Sequence, residues 1–472
     1  MKTRINSTFK SIIKVSASNI FKLLSGILVG FLLPKIISVT DYGYYKTFTL
    51  YATYVGLLAI GITDGIYLKY GGKNYDELDK TSFRFYSKIY LLFEIIFSAV
   101  LGAVFLLFVK GELKFIFICL CFYTIANNIT GYYQIVSQVT SRFGELSQRN
   151  MIQAILTSIA MIALWIIYHF FNHEITYRIY TIIFVCITSF LSLWYIISYR
   201  DITFGKTKNE GFKSIAELIR IGTPLLIANL CSFLILSIDR QFVNSLFDTE
   251  TYAVYAFAYN MLALLTTATS AISTVFYPTM KKADSLVLQK KYSSFVGIIL
   301  VFVFGCLSIY FPLCWFVGWF LPKYQQSLPI FRIILPGLAI QCAVTIVMHN
   351  YYKAFEKNVE FFIKSLIILI VSVCANFLAY YIFKSTYSIS IASILTLLLW
   401  YFLSEEMLIR KYRVEWTNNL VYILVMSFAF YIITNFSIWW IGVIVYIVFY
   451  LSMSFAFYEK RINFFRHLFL NK

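Results

Sequence analysis

The chain has 472 residues, 60% of them hydrophobic and only 13% charged, with a formal net charge of +18. Soluble domains carry about 25% charged residues, and here apolar runs near the ~20 residues of a spanning helix recur along the whole length. A soluble enzyme is therefore excluded, and the chain reads as a polytopic membrane protein whose polar segments are too short to fold alone.

Lys2, Arg4 and Lys10 precede the first apolar run. No small-residue cleavage site follows, so the run reads as an uncleaved first span and not a signal peptide. The hydrophobic pattern predicts about fourteen spans, at roughly 13–37, 44–68, 85–108, 115–137, 150–171, 179–199, 215–246, 251–279, 292–320, 328–352, 359–383, 388–408, 417–434 and 438–458. The expected fold is an all-α membrane protein. Two parallel-related six-helix halves, 1–214 and 215–411, surround a central cavity, and 412–472 adds two helices and a cytoplasmic tail.

The first span carries Lys14, Ser18, Lys22, Ser25 and Gly26 at steps of three and four, which is one polar stripe on an apolar helix. A charge at the bilayer centre costs roughly 2.5–3.5 kcal/mol on insertion scales, so such residues face the protein interior or a wet cavity. Lys22, two turns deeper than Lys14, is a candidate for meeting an anionic substrate; Lys14 alternatively snorkels to the cytoplasmic headgroups. Asp41, Tyr42, Gly43 and Tyr45 then mark a turn, followed by Lys46 in the second span. Asp64 and Lys88 lie near the cytoplasmic ends of spans 2 and 3 and are placed to pair. Glu94 lies about ten residues into span 3 with no obvious partner, as a candidate ion- or proton-linked carboxylate. The eight cysteines all fall inside predicted spans, where they act as small apolar residues, and Cys119-x-Cys121 lacks metal-site spacing.

The loop 200–214 contains Gly205, Gly211 and several charges and is the expected hinge between the halves. After it, the pattern restarts. Residues 221–260 repeat the layout of 11–50 at an offset of 210, with Asn229 on Asn19, Tyr252 on Tyr42 and Tyr255 on Tyr45. This is the paired architecture of many transporters. Span 7 places Asn229, Ser232, Leu236, Arg240 and Asn244 on one stripe. Asp239 points roughly 100° away from Arg240 on an ideal helix, so it need not neutralise it. Tyr132-Tyr133 at the end of span 4 and Tyr351-Tyr352 at the end of span 10 form a second echo. Arg332 sits near the outer end of span 10, and Lys364 is placed to pair with Glu405 or Glu406. The candidate substrate-binding set is thus Lys22, Lys46, Lys88, Arg240 and Arg332. The candidate ion-coupling set is Asp64, Glu94 and Asp239. No Ser-His-Asp, paired-carboxylate, phosphate-loop or His-ligand arrangement occurs.

Loops on the side of the termini hold about five times as many Lys and Arg as the opposite loops, where Lys110, Lys114, Arg178, Lys323 and Lys384 stand. That bias puts both termini in the cytoplasm and makes the basic excess a topology and lipid-headgroup signal, with no nucleic-acid partner implied.

The turn Asp41-Tyr42-Gly43-x-Tyr45 and the pattern Gly222, Pro224, Asn229, Asp239, Arg240, Tyr255 resemble the Wzx-type polysaccharide flippases of the multidrug/oligosaccharidyl-lipid/polysaccharide exporter superfamily. The resemblance spans nearly the whole chain. Many Wzx-type proteins are described with twelve spans, and fourteen is similar to the related lipid II flippase group. It implies translocation of an undecaprenyl-diphosphate-linked oligosaccharide, of O-antigen, capsule or similar kind, from the inner to the outer leaflet of a bacterial cytoplasmic membrane. A cationic central cavity falls on Lys22 and Arg240. No enzymatic activity and no cofactor beyond a coupling proton or sodium ion is expected. Membrane lipids and other polysaccharide-assembly membrane proteins are the candidate partners. A multidrug or cation antiporter of the same fold would want a carboxylate in the first span, which has none. A polysaccharide polymerase would want a large outer loop, and none is long enough.

Overall fold

The computed structural model describes residues 2–470, apart from 172, 208–210, 282–284, 356, 415–417 and 437. At 2–16, 268–281, 285, 287, 358, 411 and 459–470 it describes the backbone alone. Lys14 and part of the expected hinge 200–214 thus lie outside the described side chains. Every described element is helical.

The chain runs through α1 (Lys2–Ile36), α2 (Val39–Ala52), α3 (Ile62–Tyr70), α4 (Lys80–Phe108), α5 (Gly111–Val139), α6 (Phe143–Phe170), α7 (Tyr177–Ser198), α8 (Arg200–Thr203), α9 (Gly211–Ile235) and α10 (Ile238–Leu246). It continues through α11 (Thr249–Lys281), α12 (Ser285–Cys306), α13 (Tyr310–Phe320), α14 (Ser327–Ile334), α15 (Gly337–Cys342), α16 (His349–Ala354), α17 (Asn358–Phe383), α18 (Thr386–Tyr412), α19 (Asn419–Ile433) and α20 (Trp439–Leu470). Among the described residues, ten helices are long and apolar enough to cross a membrane, or twelve if each of two bent pairs is one span. The exact count of fourteen is not confirmed among the described residues. The span expected at 251–279 falls on α11, whose second half is described by backbone only. The span expected at 417–434 is a 15-residue helix, about five short of the usual spanning length.

Three expected spans are interrupted. The second breaks into α2, a 3-10 turn at Val55–Ala59, and α3, bent by 58°. Ile60 and Gly61 take left-handed φ values of 48° and 76° there. The seventh breaks between Ile235 and Ile238. The tenth bends by 41° at Leu335–Pro336, as expected where proline removes an amide donor, and passes through a π-helical stretch at Ala343–Met348. The expected Asp41–Tyr45 turn is instead helical. Ser38 caps α2 by accepting the Asp41 amide at 3.0 Å, so the chain reverses at Ile37–Ser38.

The chain forms two compact units. The first comprises Met1–Leu230 and Asp248–Ala253, the second Cys231–Phe247 and Val254–Lys472. In the first, α1 packs along α6, and α5 packs against α2, α3, α4 and α7. Its core is rich in tyrosine: Tyr75, Tyr86, Tyr90, Tyr132, Tyr195 and Tyr199 are all buried. In the second, α17 and α18 pair, α18 supports α14 and α15, and α12 carries α15, α19 and α20.

The Tyr-Tyr echo has a matching geometry in each unit. Tyr132 accepts a hydrogen bond from Ser87 on α4 at 3.0 Å, and Tyr133 bonds Thr203 on α8 at 2.7 Å. Tyr351 donates to the Leu288 carbonyl on α12 at 2.8 Å, and Tyr352 to the Ser404 carbonyl on α18 at 2.9 Å. In each unit the first ring ties to the span before it in that half, and the second to the end of the sixth.

Two contacts of backbone closeness lie within the first unit. A Cβ on Gly222 of α9 would sit 2.0 Å from the Gly61 carbonyl oxygen, and one on Gly65 of α3 would sit 2.1 Å from the Leu218 carbonyl oxygen. Lys69 at the end of α3 forms a 2.9 Å ion pair with Glu217 of α9. The other contact involves α2, where a Cβ on Gly43 would lie 2.4 Å from the Thr249 carbonyl oxygen. Beside it, Thr40 donates to Glu250 at 2.7 Å.

Candidate functional site

The stripe on α1 divides. Ser18 and Ser25 are buried, whereas Lys22 between them is exposed. It makes no hydrogen bond or ion pair with another described residue.

Asp239 and Arg240 open α10 in the second unit. Asp239 is 2% exposed, and its Oδ2 accepts from the hydroxyls of Tyr255, at 2.8 Å, and Tyr259. Arg240 turns away from it, as the angular argument requires. Its Nη2 donates to the Leu236 carbonyl at 3.0 Å, the guanidinium lies 4.8 Å from the Tyr259 ring, and its buried Nε has no hydrogen-bond partner among the described residues. Tyrosine hydroxyls satisfy Asp239 and leave Arg240 without an acid partner among the described residues. A pocket with about 360 Å³ of empty space adjoins them, lined by Asp239, Tyr259, Gln341, Ser393 and apolar side chains from α9, α14 and α18.

The remaining candidates are more dispersed. Lys46 lies over the rings of Tyr42 and Tyr45, at 5.1 and 5.8 Å, a cation–π arrangement. Arg332 donates to Asn435 at 2.9 Å. Lys88 is exposed, and the Asp64–Lys88 pair does not form among the described contacts. Asp64 is half-buried on α3. Lys364 donates to the Leu403 carbonyl at 2.7 Å in place of the expected carboxylate, while Glu406 pairs with Arg410 at 3.0 Å.

Glu94 is fully buried on α4. Its Oε2 accepts from Asn128 Nδ2 of α5 at 3.0 Å, and its Oε1 has no hydrogen bond within the geometric limits among the described residues. Asn128 Nδ2 also donates to the Val55 carbonyl at 3.0 Å.

Glu405, expected as one of two possible partners of Lys364, is instead held by tyrosine hydroxyls. This carboxylate is 4% exposed and accepts from Tyr401 at 3.0 Å and Tyr292 at 3.3 Å. Tyr401 stands one helical turn before it, a spacing that faces the same side; that local signal was present.

Residues 8–284 match the family described as polysaccharide biosynthesis protein. Among solved structures, the chain is similar to the lipid II flippase MurJ in an inward closed conformation. The identity is 13%, 96% of this chain and 100% of that one are covered, and the TM-score is 0.66. It is also similar to an inward-facing multidrug resistance MATE family transporter of the MOP superfamily, at 12% identity over 87% of this chain and 95% of the other, with a TM-score of 0.61. A MOP superfamily transporter from Pyrococcus furiosus aligns at 12% identity over 84% and 95%, with a TM-score of 0.57. No curated protein matches by sequence. The family match takes in more than half of the chain, which therefore belongs to the polysaccharide biosynthesis protein family and has the fold of the MOP superfamily.

Proposed function

We propose that the protein is a flippase that moves an undecaprenyl-diphosphate-linked oligosaccharide from the cytoplasmic to the outer leaflet of a bacterial cytoplasmic membrane by alternating access. Both termini face the cytoplasm in this reading, and the protein is not an enzyme. Family membership and fold support it. The observation that carries it is Lys22, an accessible ammonium on a spanning helix without an acidic partner among the described residues. A diphosphate leaving water needs such charges to replace its hydration, and Arg240, likewise without an acid, is the second. Lys46, Lys88 and Arg332 are secondary contacts along the route. A membrane potential negative inside favours outward movement of an anion by about 2.3 kcal/mol per charge per 100 mV.

A coupling proton or sodium ion would use Glu94, Asp64 or Asp239, three carboxylates in or beside spanning helices that no cation neutralises among the described ion pairs. The duplication proposed for 1–214 and 215–411 draws support from the paired tyrosines. A cation exporter on this fold would place an acid on the first span, and 11–36 has none.

The test is export in cells. Lys22→Ala and Arg240→Ala are each expected to stop surface glycan export at unchanged protein level; normal export by both would refute the cationic route. Purified protein given lipid-linked sugar is expected to leave chain length unchanged, and longer glycans would favour a polymerase.

A further inference from the structure

Two arginines mark the start of α6. Arg142 is the residue before the helix, and Arg149 follows about two turns later on the same face. Arg142 lies 3.7 Å from the centre of the Tyr75 ring, and Arg149 3.8 Å from that of Tyr195. Stacking on rings occupies the faces of a guanidinium and leaves its N–H edges to seek oxygen. Glu145 stands between the two, 3.3 Å from Arg142 and 3.8 Å from Arg149. Neither contact reaches the roughly 2.7–2.9 Å of a charge-assisted hydrogen bond. Arg149 is only 5% exposed, and its Nη1 has no hydrogen-bond partner among the described residues. A buried guanidinium edge left unbonded is costly, so this edge calls for an acceptor that its neighbours do not supply.

We propose that Arg142, Arg149 and the N-terminus of α6 form a binding site for a phosphate group, with Glu145 as its displaceable occupant. The phosphate is either the headgroup of an anionic phospholipid or a free phosphate in solution. The transport route proposed above uses none of these three side chains, and the site does not rest on it.

The chemistry of the place fits a phosphate better than the carboxylate it holds. Two guanidiniums and one carboxylate leave a net positive charge. The hydroxyls beside them, Tyr195 near Arg149 and Tyr199 near Arg142 and Glu145, are neutral and cancel none of it. The first amides of α6 point to the same end, and no side chain caps them by a hydrogen bond. A phosphate presents several oxygens and accepts from both guanidinium edges and from helix amides together. Glu145 is tied to the same helix, three residues from Arg142 and four from Arg149, and reaches both only loosely. The side chains of Arg142 and Glu145 are 35% and 37% exposed and form the entrance. Arg149 is the floor, since helical side chains lean toward the N-terminus. In the orientation proposed above, this end of α6 lies at the cytoplasmic headgroups.

Two probes read the site in the purified protein. Native mass spectrometry in detergent measures binding of phosphatidylglycerol, with diacylglycerol, which lacks the phosphate, as the control. Thermal unfolding compares inorganic phosphate with chloride at equal ionic strength. Arg142→Gln and Arg149→Gln are each expected to weaken phosphatidylglycerol binding by about tenfold or more, with diacylglycerol unaffected. Glu145→Gln is expected to tighten it, because the competing charge is removed at nearly constant shape, and a gain of affinity cannot come from misfolding. Lys110→Gln, exposed on a loop between α4 and α5, is expected to change nothing. A response to phosphatidylglycerol alone assigns a lipid headgroup. A response to inorganic phosphate, lost in the same two arginine variants, assigns a free phosphate. No response to either probe, equal binding in the parent and both arginine variants, or no gain in Glu145→Gln would overturn the site.

Discussion

Substituting Gly222 by alanine tests whether the α3–α9 contact is as tight as it looks. The added Cβ would lie 2.0 Å from the Gly61 carbonyl oxygen and 2.5 Å from the Gly65 amide nitrogen, against the 3.4 Å at which ordinary contact begins. Both neighbours are backbone, so no side-chain rotation relieves the overlap and the two helices must separate by more than an ångström. Overpacking of this kind costs about 1–3 kcal/mol. The control is Gly131→Ala on α5, where nothing lies within 4 Å of the new Cβ and helix propensity favours alanine by up to about 1 kcal/mol. Thermal unfolding in detergent, followed by tryptophan fluorescence, should move down for the first and level or up for the second. Equal midpoints for Gly222→Ala and the parent protein would refute the contact.

Tyr133→Phe and Tyr352→Phe each remove one buried hydroxyl bond, to Thr203 and to the Ser404 carbonyl, and should each lower stability by about 1 kcal/mol in denaturation. Unequal losses would argue against equivalent roles in the two units. Glu405→Leu leaves the Tyr292 and Tyr401 hydroxyls without their acceptor, at about 1–3 kcal/mol, whereas Glu405→Gln retains an oxygen and should unfold close to the parent midpoint. Asp79 caps α4, and the hydroxyls of Thr81 and Ser82 hold its carboxyl down at about 2. A depressed value means its contribution is present above the ordinary carboxylate range and lost as pH falls toward 2. Asp79→Ala should therefore cost about 1 kcal/mol near neutrality, with the gap to the parent closing in acid.

Most spans were legible because a membrane helix announces itself by length and apolarity alone. The bend in the tenth was foreshadowed by Pro336 and Gly337. The break in the second was not, because no proline marks it and Ile60 is an unlikely residue for a left-handed turn. The Asp41–Gly43 segment looked like a turn by composition, yet Ser38 supplied a cap one step earlier and the helix took it. Among site residues, Lys22 and Glu94 stood out because a charge within an apolar run is visible wherever its partners lie. What could not be read was satisfaction. The tyrosines that solvate Asp239 come from α11, and one of the two on Glu405 from α12. Periodicity within one helix carries no information about a hydroxyl delivered by another. Asp64 and Lys88 failed to pair for the related reason that nearness to the same membrane face does not set side-chain direction.

Ile60 stands at the break in the second span. A β-branched side chain at φ 48° crowds its own backbone, a strain of order 1–3 kcal/mol that persists only while surrounding structure enforces it. The kink is therefore cocked like a spring: local chain preference pulls toward straightening, and the Asn128 amide and the glycine faces hold it back. Whatever loosens either restraint need not supply the work of unbending, because the isoleucine already stores part of it.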